Sequence, residues 1–460
     1  MGELGGLEQF QEKWEAVFRP ELRENKEIEQ EEGRQRPEDA SDPEPEEASR
    51  HRGRKPERLS AVAKKKGNAM REDETIGMGP AGPMSRRYFL QVTGAGVVTA
   101  TALGVPGLVS RAEAAVYEKF TWISPRGTLE VLDDYPYWAA KKMGYFGDLP
   151  TDMQPGPSDG TATVKFVDVG QADMGFPSPG VFSFAIQNGM KLKSVFHMGA
   201  RDTFSFAFRK GEGMTDLKGL EGKTVLLGSA AWQSITDPLL ASQGVDIKKV
   251  KYVEAGWPTW GTALAGGQGD AALSWEGLRA EWIATGLKFD YWLGVQKSKL
   301  PANTFVVRAA DLDDPDRKAF LEKYLRGWAM GLEFGYQNPR AAVEAVFEQF
   351  PTLGKNLGPE LGTTSILQQI NVFRGDMDKR GGWGWHDMAS WQGFFDEIHK
   401  IGQITNPVKA EDVATNDLIG PANEFDKAKV KADADGYKLT EGFAALDVEK
   451  IKAHMFDDAV

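Results

Sequence analysis

Two stretches far apart in the chain carry nearly the same motif, in which Gly-Gln-small-Asp is followed by small or apolar residues. The first is GQADMGF (Gly170–Phe176) and the second is GQGDAAL (Gly267–Leu273). In each copy a helical pattern precedes the glycine and a short apolar run follows the aspartate. Glycine after a helix takes the left-handed cap that other residues resist. We therefore expect each copy to form a helix, a glycine cap and a buried parallel strand.

The chain around both motifs alternates short apolar runs with helical patterns, which is typical of an α/β fold. A tandem array would show a fixed short period, whereas this motif occurs twice at wide separation. The pattern therefore predicts two similar α/β lobes.

Two β-rich runs that end in arginine flank one compact α/β unit. They are TFSFAFRKG (Thr203–Gly211) and NTFVVRA (Asn303–Ala309). Their placement predicts a two-strand hinge, in which one run leaves the first lobe and the other returns to it. The alternative is that both are ordinary core strands.

The chain after Ala309 is predicted to be mainly helical. Asp314 and Asn338 each precede a proline, and a capping side chain before proline is a common helix start. We expect helices near 314–336, 339–350, 359–373 and 386–401, followed by a polar tail that lies back across a lobe.

The composition excludes several classes of protein. The 460 residues include no cysteine, which rules out disulfides, zinc–thiolate sites, iron–sulfur clusters and a cysteine nucleophile. The formal net charge of −12 disfavours general binding to nucleic acids, which requires clustered cations that neutralise phosphates. The sequence gives no indication of a cofactor or a metal site.

The N-terminal part of the chain differs from the rest. Residues 1–83 are highly charged and poor in large apolar residues, so we predict a disordered extension, with Met84 as a possible true start. The stretch that begins SRRYFL (Ser85–Leu90) resembles a twin-arginine export signal. A weakly apolar run and the small-x-small site at Ala112–Ala114 follow it, so we predict a signal peptide over 84–114 that is cleaved after Ala114.

These observations predict the following organisation. Lobe 1 is discontinuous and comprises residues 115–207 and 304–430, lobe 2 comprises residues 208–303, and residues 431–460 form a C-terminal tail. We expect the mature protein to be a soluble, exported monomer in the periplasm.

Ligands of open parallel α/β sheets bind beyond the carboxyl ends of the strands. Residues that follow the predicted strands are therefore candidates for ligand binding, and several of them are aromatic side chains that could stack on a ring or hold a cation. Glu276, with Asp133 or Asp134, could pair with a positive or hydrogen-bond-donating ligand, although each of these aromatic and acidic residues could instead have only a structural role. The candidate residues are Tyr137, Trp138, Pro177, Ser178, Ser229, Trp232, Gln233, Trp257, Trp260, Trp275 and Glu276.

Five segments follow one another along the chain in the order AAKKMGYF, GQADMGF, NGMKLKSVFHMG, MTDLKGLEGKTVLLGS and GGQGDAALSW. Their order resembles the solute-binding proteins of ABC importers, in particular the nitrate, sulfonate, taurine and thiamine-precursor branch. The resemblance implies a periplasmic-binding-protein fold of type II character that closes on a small ligand. It also implies delivery to a membrane permease that works with an ATPase.

The type of ligand stays open between two classes. A sulfonate or carboxylate would use helix N-termini, Ser178, Ser229 and an arginine such as Arg201, whereas an aromatic or heterocyclic ligand would use the tryptophans. The sequence lacks the motifs of common hydrolases, metalloenzymes and nucleotide-binding proteins, so we expect no enzymatic activity and no catalytic residues. An exported enzyme and a module that presents a ligand to a sensor remain the alternatives.

Overall fold

A computed structural model describes residues 116–157 and 162–460. The predicted extension over 1–83 and the predicted signal peptide, with its cleavage site after Ala114, lie outside the described residues. Within the described part of the chain, no helix is both long and apolar enough to cross a membrane.

The strands form two five-stranded mixed sheets. In chain order they are β1 (Phe120–Ile123), β2 (Thr151–Gln154), β3 (Met174–Gly175), β4 (Leu192–Phe196), β5 (Phe204–Arg209), β6 (Thr224–Leu227), β7 (Lys251–Glu254), β8 (Ala271–Trp275), β9 (Phe289–Leu293) and β10 (Phe305–Arg308). The first sheet has the order β2-β1-β3-β10-β4 and the second has the order β7-β6-β8-β5-β9. The predicted α/β architecture with two lobes is confirmed.

Helices lie against both sheets and continue through the C-terminal part of the chain. They are α1 (Tyr135–Lys142), α2 (Ala162–Asp168), α3 (Pro179–Gln187), α4 (Gln233–Ser242), α5 (Trp260–Ala265), α6 (Leu278–Ala284), α7 (Gly294–Lys297), α8 (Pro315–Gln337), α9 (Pro339–Gln349), α10 (Pro351–Arg374), α11 (Met388–Lys400), α12 (Ala410–Val413), α13 (Ile419–Ala422), α14 (Lys427–Asp435), α15 (Glu441–Ala444) and α16 (Val448–His454). The predicted helical C-terminal portion is confirmed, and the helix predicted at 359–373 is the part of α10 that follows a break at Gly358.

Central strands bury side chains on both faces. In β10, Phe305 and Val307 contribute to one hydrophobic cluster, while Val306 points into another. In β5, Phe206 and Phe208 pack on one face and Ala207 on the other. This period-2 alternation with apolar residues on both sides is what a sheet covered by helices on both faces requires.

The two similar motifs adopt the same local structure. The helix of each motif ends in a glycine with positive φ, +75° at Gly170 and +80° at Gly267. The strands that follow, β3 and β8, pair in parallel with β1 and β6. The aspartate side chains then accept equivalent hydrogen bonds, because Asp173 accepts the backbone N–H of Thr121 and Asp270 that of Thr224, both at 2.8 Å. The expected helix, cap and strand are confirmed in both copies.

The two runs that end in arginine are core strands of the two sheets, antiparallel to the motif strands. In the first sheet β10 lies beside β3, and in the second sheet β5 lies beside β8. Both runs are therefore core strands, and each directly follows a connection between the two sheets. The two crossovers between the sheets are the preceding segments, 197–203 and 294–304, and Gly199 N–H of the first donates to the Asn303 carbonyl of the second at 3.0 Å. The lobe boundary predicted between residues 207 and 208 falls inside β5.

Each terminal arginine reaches back across its sheet to the neighbouring motif. Nη1 of Arg308 donates to the carbonyls of Val167 and Ala172, at 3.0 and 2.8 Å, and Nη2 lies 3.3 Å from the Asp173 carboxylate. The second sheet repeats these backbone contacts, since Nη1 of Arg209 donates to the carbonyls of Leu264 and Gly269. In each sheet, the Gly-Gln-small-Asp motif and the neighbouring strand that ends in arginine are therefore held together by these hydrogen bonds.

We predict that Arg308→Leu lowers the free energy of unfolding by at least about 2 kcal/mol. The substitution leaves the two carbonyls and Asp173 without their charged donor, and hydrogen bonds to charged groups contribute more than neutral ones. Arg209→Leu should have a similar effect. Urea denaturation measures both, with Lys288→Met at an exposed position as the control. Equal stability of Arg308→Leu and the control would contradict this account.

Candidate functional site

A cleft lies between the two sheets, with an empty volume of about 850 Å³ that includes space open to solvent. Its walls come from the β1–α1 loop, the ends of β3 and β8, both crossovers, α4 and α10. The lining residues are Pro125, Arg126, Asp133, Phe176, Ser178, Val181, Gly199, Thr203, Phe204, Trp232, Ile235, Leu273, Trp275, Glu276, Ala302, Asn303, Gln369 and Phe373.

Four predicted residues line the cleft because they follow or flank the carboxyl ends of strands. They are Ser178, Trp232, Trp275 and Glu276. Ser178 is the N-cap of α3 and accepts the Val181 N–H at 3.4 Å. Trp275 ends β8 and Glu276 follows it directly, so both side chains stand at the edge of the second sheet.

The tryptophans of the second lobe form a packed cluster. The rings of Trp257 and Trp275 are almost parallel, with centroids 5.9 Å apart, and Trp232 packs edge-on at 5.8 Å from Trp275. Trp260 is fully buried beneath them, and its indole N–H donates to the Leu273 carbonyl at 2.8 Å. Trp260 therefore supports the cluster from below, while Trp232 and Trp275 reach the cleft.

Tyr137 and Trp138 lie in the core of the first lobe and do not reach the cleft. The tyrosine is fully buried and its hydroxyl lies 3.2 Å from Thr151 Oγ1, whereas the tryptophan packs edge-on against Phe350. Both belong to α1, which begins at Tyr135 after a long loop. That loop, rather than the helix, approaches the cleft.

Three further candidates lie near the cleft without lining it. The carbonyl of Pro177 accepts the Thr304 N–H from the second crossover at 3.2 Å. The carbonyl of Ser229 accepts the Trp232 N–H at 3.0 Å, which closes a short turn before α4. Gln233 donates to Asp237 along α4 at 3.0 Å. These contacts are all internal to the scaffold.

Arg201, the predicted cation for an anionic ligand, is likewise outside the cleft. Its Nη1 donates to Asn371 Oδ1 at 2.7 Å and its backbone N–H donates to the Val372 carbonyl. It therefore anchors the first crossover to α10.

The β1–α1 loop brings an arginine and two aspartates to the cleft edge. Nη2 of Arg126 contacts both oxygens of Asp134 at 2.6 Å. Burial raises the pKa of Asp133 to about 6, although Arg126 opposes the shift and a hydrogen bond from Trp275 also lowers the pKa. Across the lobe interface, burial and then the Asp133 charge together raise the pKa of Glu281 to about 8, against the lowering effect of Arg126.

Glu276 takes part in a buried ion-pair network. Arg279 is fully buried, and its Nη2 donates to Glu276 Oε2 at 2.9 Å. Residues 455–460 complete the network, because Asp458 pairs with Arg279 and the Met455 carbonyl accepts from it at 3.0 Å. Ala459 also forms a parallel bridge with Tyr291 of β9. The end of the chain thus extends the second sheet.

Sequence reasoning missed the lining residues that come from the crossovers and from α10. Thr203, Phe204 and Asn303 lie at the starts of the two runs that end in arginine, which the sequence predicts as hinge strands. Gln369 and Phe373 lie on α10, remote in sequence from both motifs. No local pattern marks these positions, since only the packing of α10 across both lobes brings them to the cleft.

Two α/β lobes that are joined by hydrogen-bonded crossovers and share a cleft at their strand ends define the periplasmic-binding-protein fold. The periplasmic nitrate-binding protein NrtA from Synechocystis PCC 6803 has a similar fold, with a TM-score of 0.50 and 12% identity over 73% of this chain and 97% of that one. So does the ligand-binding component of an ABC-type import system from Staphylococcus aureus, with a TM-score of 0.51 and 12% identity over 67% of this chain and 99% of that one.

Comparison with models of protein families gives a match in the central part of the chain. Residues 133–342 match the family model described as NMT1/THI5 like. A search of curated protein sequences gives no match.

We predict a pH dependence of stability that originates at Glu281. Its raised pKa means that the folded state favours the protonated carboxyl, so its contribution to stability is complete below the ordinary carboxyl pKa. That contribution is lost as the pH rises through about 8. Glu281→Gln should therefore match the original protein at pH 5 and exceed its free energy of unfolding at pH 9 by at least about 1 kcal/mol.

Urea denaturation at several pH values measures this difference. The exposed Glu360→Gln is the matched control and should leave the profile unchanged. If the free energies of unfolding of the original protein and Glu281→Gln changed equally with pH, folding would not raise the pKa of Glu281.

Proposed function

We propose that this protein is the extracytoplasmic substrate-binding component of an ABC importer. It captures a small organic ligand in the cleft between its lobes and delivers it to a membrane permease, which an ATPase drives. The observation that carries the proposal is the cleft itself, which combines aromatic and polar side chains from both lobes at the ends of their strands. We further propose that the protein acts as a soluble periplasmic monomer after cleavage near Ala114.

The mechanism is closure of the two lobes about the crossovers. Segments 197–203 and 294–304 link the sheets and are hydrogen-bonded to each other through Gly199 and Asn303. Rotation about such a pair of segments is the usual hinge motion of two-lobed binding proteins. A ligand that contacts both lobes binds the closed form better and shifts the population towards it.

The lining favours an aromatic or heterocyclic ligand over a sulfonate or carboxylate. Trp275 presents a ring to the cleft, and Phe176, Phe204 and Phe373 add apolar surface. Among the described lining residues, Arg126 is the sole basic side chain, and its guanidinium already forms an ion pair with Asp134. An anion would have to compete with that carboxylate.

Among the described residues, Ser194 and His386 form a serine–histidine contact of the kind found in some enzyme sites. Ser194 Oγ lies 2.6 Å from His386 Nε2, and His386 Nδ1 lies 3.1 Å from Asn416 Oδ1. Both Ser194 and His386 are buried, and neither lines the cleft. Burial lowers the pKa of His386 to about 3, so the ring is neutral at physiological pH. This contact ties β4 to the C-terminal region, and we propose binding without chemistry.

Isothermal titration calorimetry with methanesulfonate, benzoate and 4-aminopyrimidine tests the function. We expect saturable binding of at least one compound, accompanied by a smaller radius of gyration in X-ray scattering. Turnover of a compound in place of binding would instead support the alternative of an exported enzyme.

We predict that Trp275→Ala weakens binding of the tightest compound in this panel at least tenfold. The substitution removes an aromatic surface from the cleft wall, and aromatic contacts contribute about 1 kcal/mol beyond the area that they bury. Trp275→Phe should recover part of the affinity, which calorimetry measures on both variants. An unchanged dissociation constant for Trp275→Ala would remove this residue from the site.

A further inference from the structure

The side chains around the cleft carry more negative than positive charge. In the first lobe, Arg126 faces the carboxylates of Asp133 and Asp134, and Glu281 approaches from the second lobe. In the second lobe, the Arg279 guanidinium faces Glu276 and Asp458. Two guanidinium groups are therefore set against five carboxyl groups.

Both guanidinium groups are already committed to carboxylates. Arg126 contacts both oxygens of Asp134, and Arg279 pairs with Glu276 and Asp458. This pairing leaves Asp133 at the cleft wall and Glu281 behind it without a cation of their own.

An independent feature also indicates a missing positive partner. Glu276 lines the cleft and is fully buried, yet its Oε1 has no well-aligned donor among the described residues, although the Ser205 hydroxyl lies close enough to lower the pKa of this carboxyl. Oε1 of Glu281 is buried and unpartnered as well. A buried carboxylate oxygen without a donor is costly, and a donor that enters the cleft would remove that cost.

A metal ion does not fit this arrangement. In residues 116–157 and 162–460, no three acidic or histidine side chains converge closely enough to hold one. The partly exposed ring of Trp275 beside Asp133 instead suits an organic cation, because an ammonium group is attracted both to the carboxylate and to the face of an aromatic ring.

We propose that the cleft selects an organic cation, an ammonium group joined to an aromatic ring through an aliphatic carbon, with Asp133 and Glu276 as its anionic contacts and Trp275 as its aromatic contact. This inference rests on the proposed function. The inference adds to that function the sign of the ligand's charge and the residues that contact the charged group.

The proposal also gives the ligand a role in closure. Asp133 belongs to the first lobe and Glu281 to the second, and the Asp133 charge raises the cost of ionising Glu281 across the interface. A cation between the lobes stabilises both ionised carboxyls, with Arg126, Asp134, Glu276 and Arg279 as the charged neighbours. Binding therefore releases protons, and affinity for the cation rises between pH 5 and pH 8.

Three probes of similar size and shape and different charge test the proposal on the full chain. They are benzylammonium, benzyl alcohol and benzenesulfonate, and their dissociation constants can be measured by ligand-observed NMR and calorimetry. We expect benzylammonium to bind at least tenfold more tightly than benzyl alcohol, and benzenesulfonate to bind more weakly than either. Benzylammonium affinity should rise with pH, with proton release detected in buffers of different ionisation enthalpy.

Asp133→Asn separates the charge effect from general damage to the site. We expect it to weaken benzylammonium at least fivefold and to leave benzyl alcohol within a factor of two. The exposed Asp313→Asn, the matched control, should change neither. An equal loss for both probes in Asp133→Asn would overturn the role of its charge.

The outcomes distinguish this inference from the proposed function. Binding of benzenesulfonate in preference to benzylammonium would overturn the cation assignment and leave the cleft a binding site for small organic ligands. Absence of benzylammonium binding would also overturn the assignment. The proposed function itself would fail only if the sulfonate, carboxylate and pyrimidine probes were not bound either.

Discussion

The fold depends on one interaction that the chain uses twice. An arginine at the end of an antiparallel strand donates to two backbone carbonyls around a helix end and its following turn, Arg308 in the first sheet and Arg209 in the second. Each of these strands directly follows a crossover. The same contact therefore fixes the strand that enters each lobe and holds the motif strand at the centre of the sheet.

The cleft follows from that arrangement. With β3 and β8 fixed at the centres of their sheets, their carboxyl ends face each other, and the residues beyond them form opposing walls. The walls differ in chemistry, because the first lobe supplies the acidic β1–α1 loop and the second supplies the tryptophan cluster and Glu276. Equivalent scaffolds thus present unlike surfaces to one ligand.

Much of the scaffold could be predicted from local patterns. Glycine caps after helices, period-2 apolar strands and Asp-Pro or Asn-Pro helix starts are short-range signals, and they placed both motifs and most of the C-terminal helices. The motif strands also located Ser178, Trp275 and Glu276 beside the cleft, since strand ends in a parallel sheet share one edge.

The remaining features depend on contacts between distant parts of the chain. The sequence predicts Tyr137 at a strand end. A long loop separates β1 from α1, however, and the helix that carries Tyr137 packs in the core. Arg279 is neutralised by Asp458, 179 residues away. Phe373 reaches the cleft only because α10 packs across both lobes. No pattern within a short window encodes such contacts.

The claim that one ligand contacts both lobes in the cleft is tested most directly by a crystal structure of the protein with the tightest probe bound. The account predicts electron density for one molecule stacked on Trp275, with its polar group within hydrogen-bonding distance of Asp133 or Glu276 and contacts to both lobes. Density on a single lobe or outside the cleft would contradict the account. A bound molecule whose polar group displaces the Asp134 carboxylate from Arg126 would also contradict it.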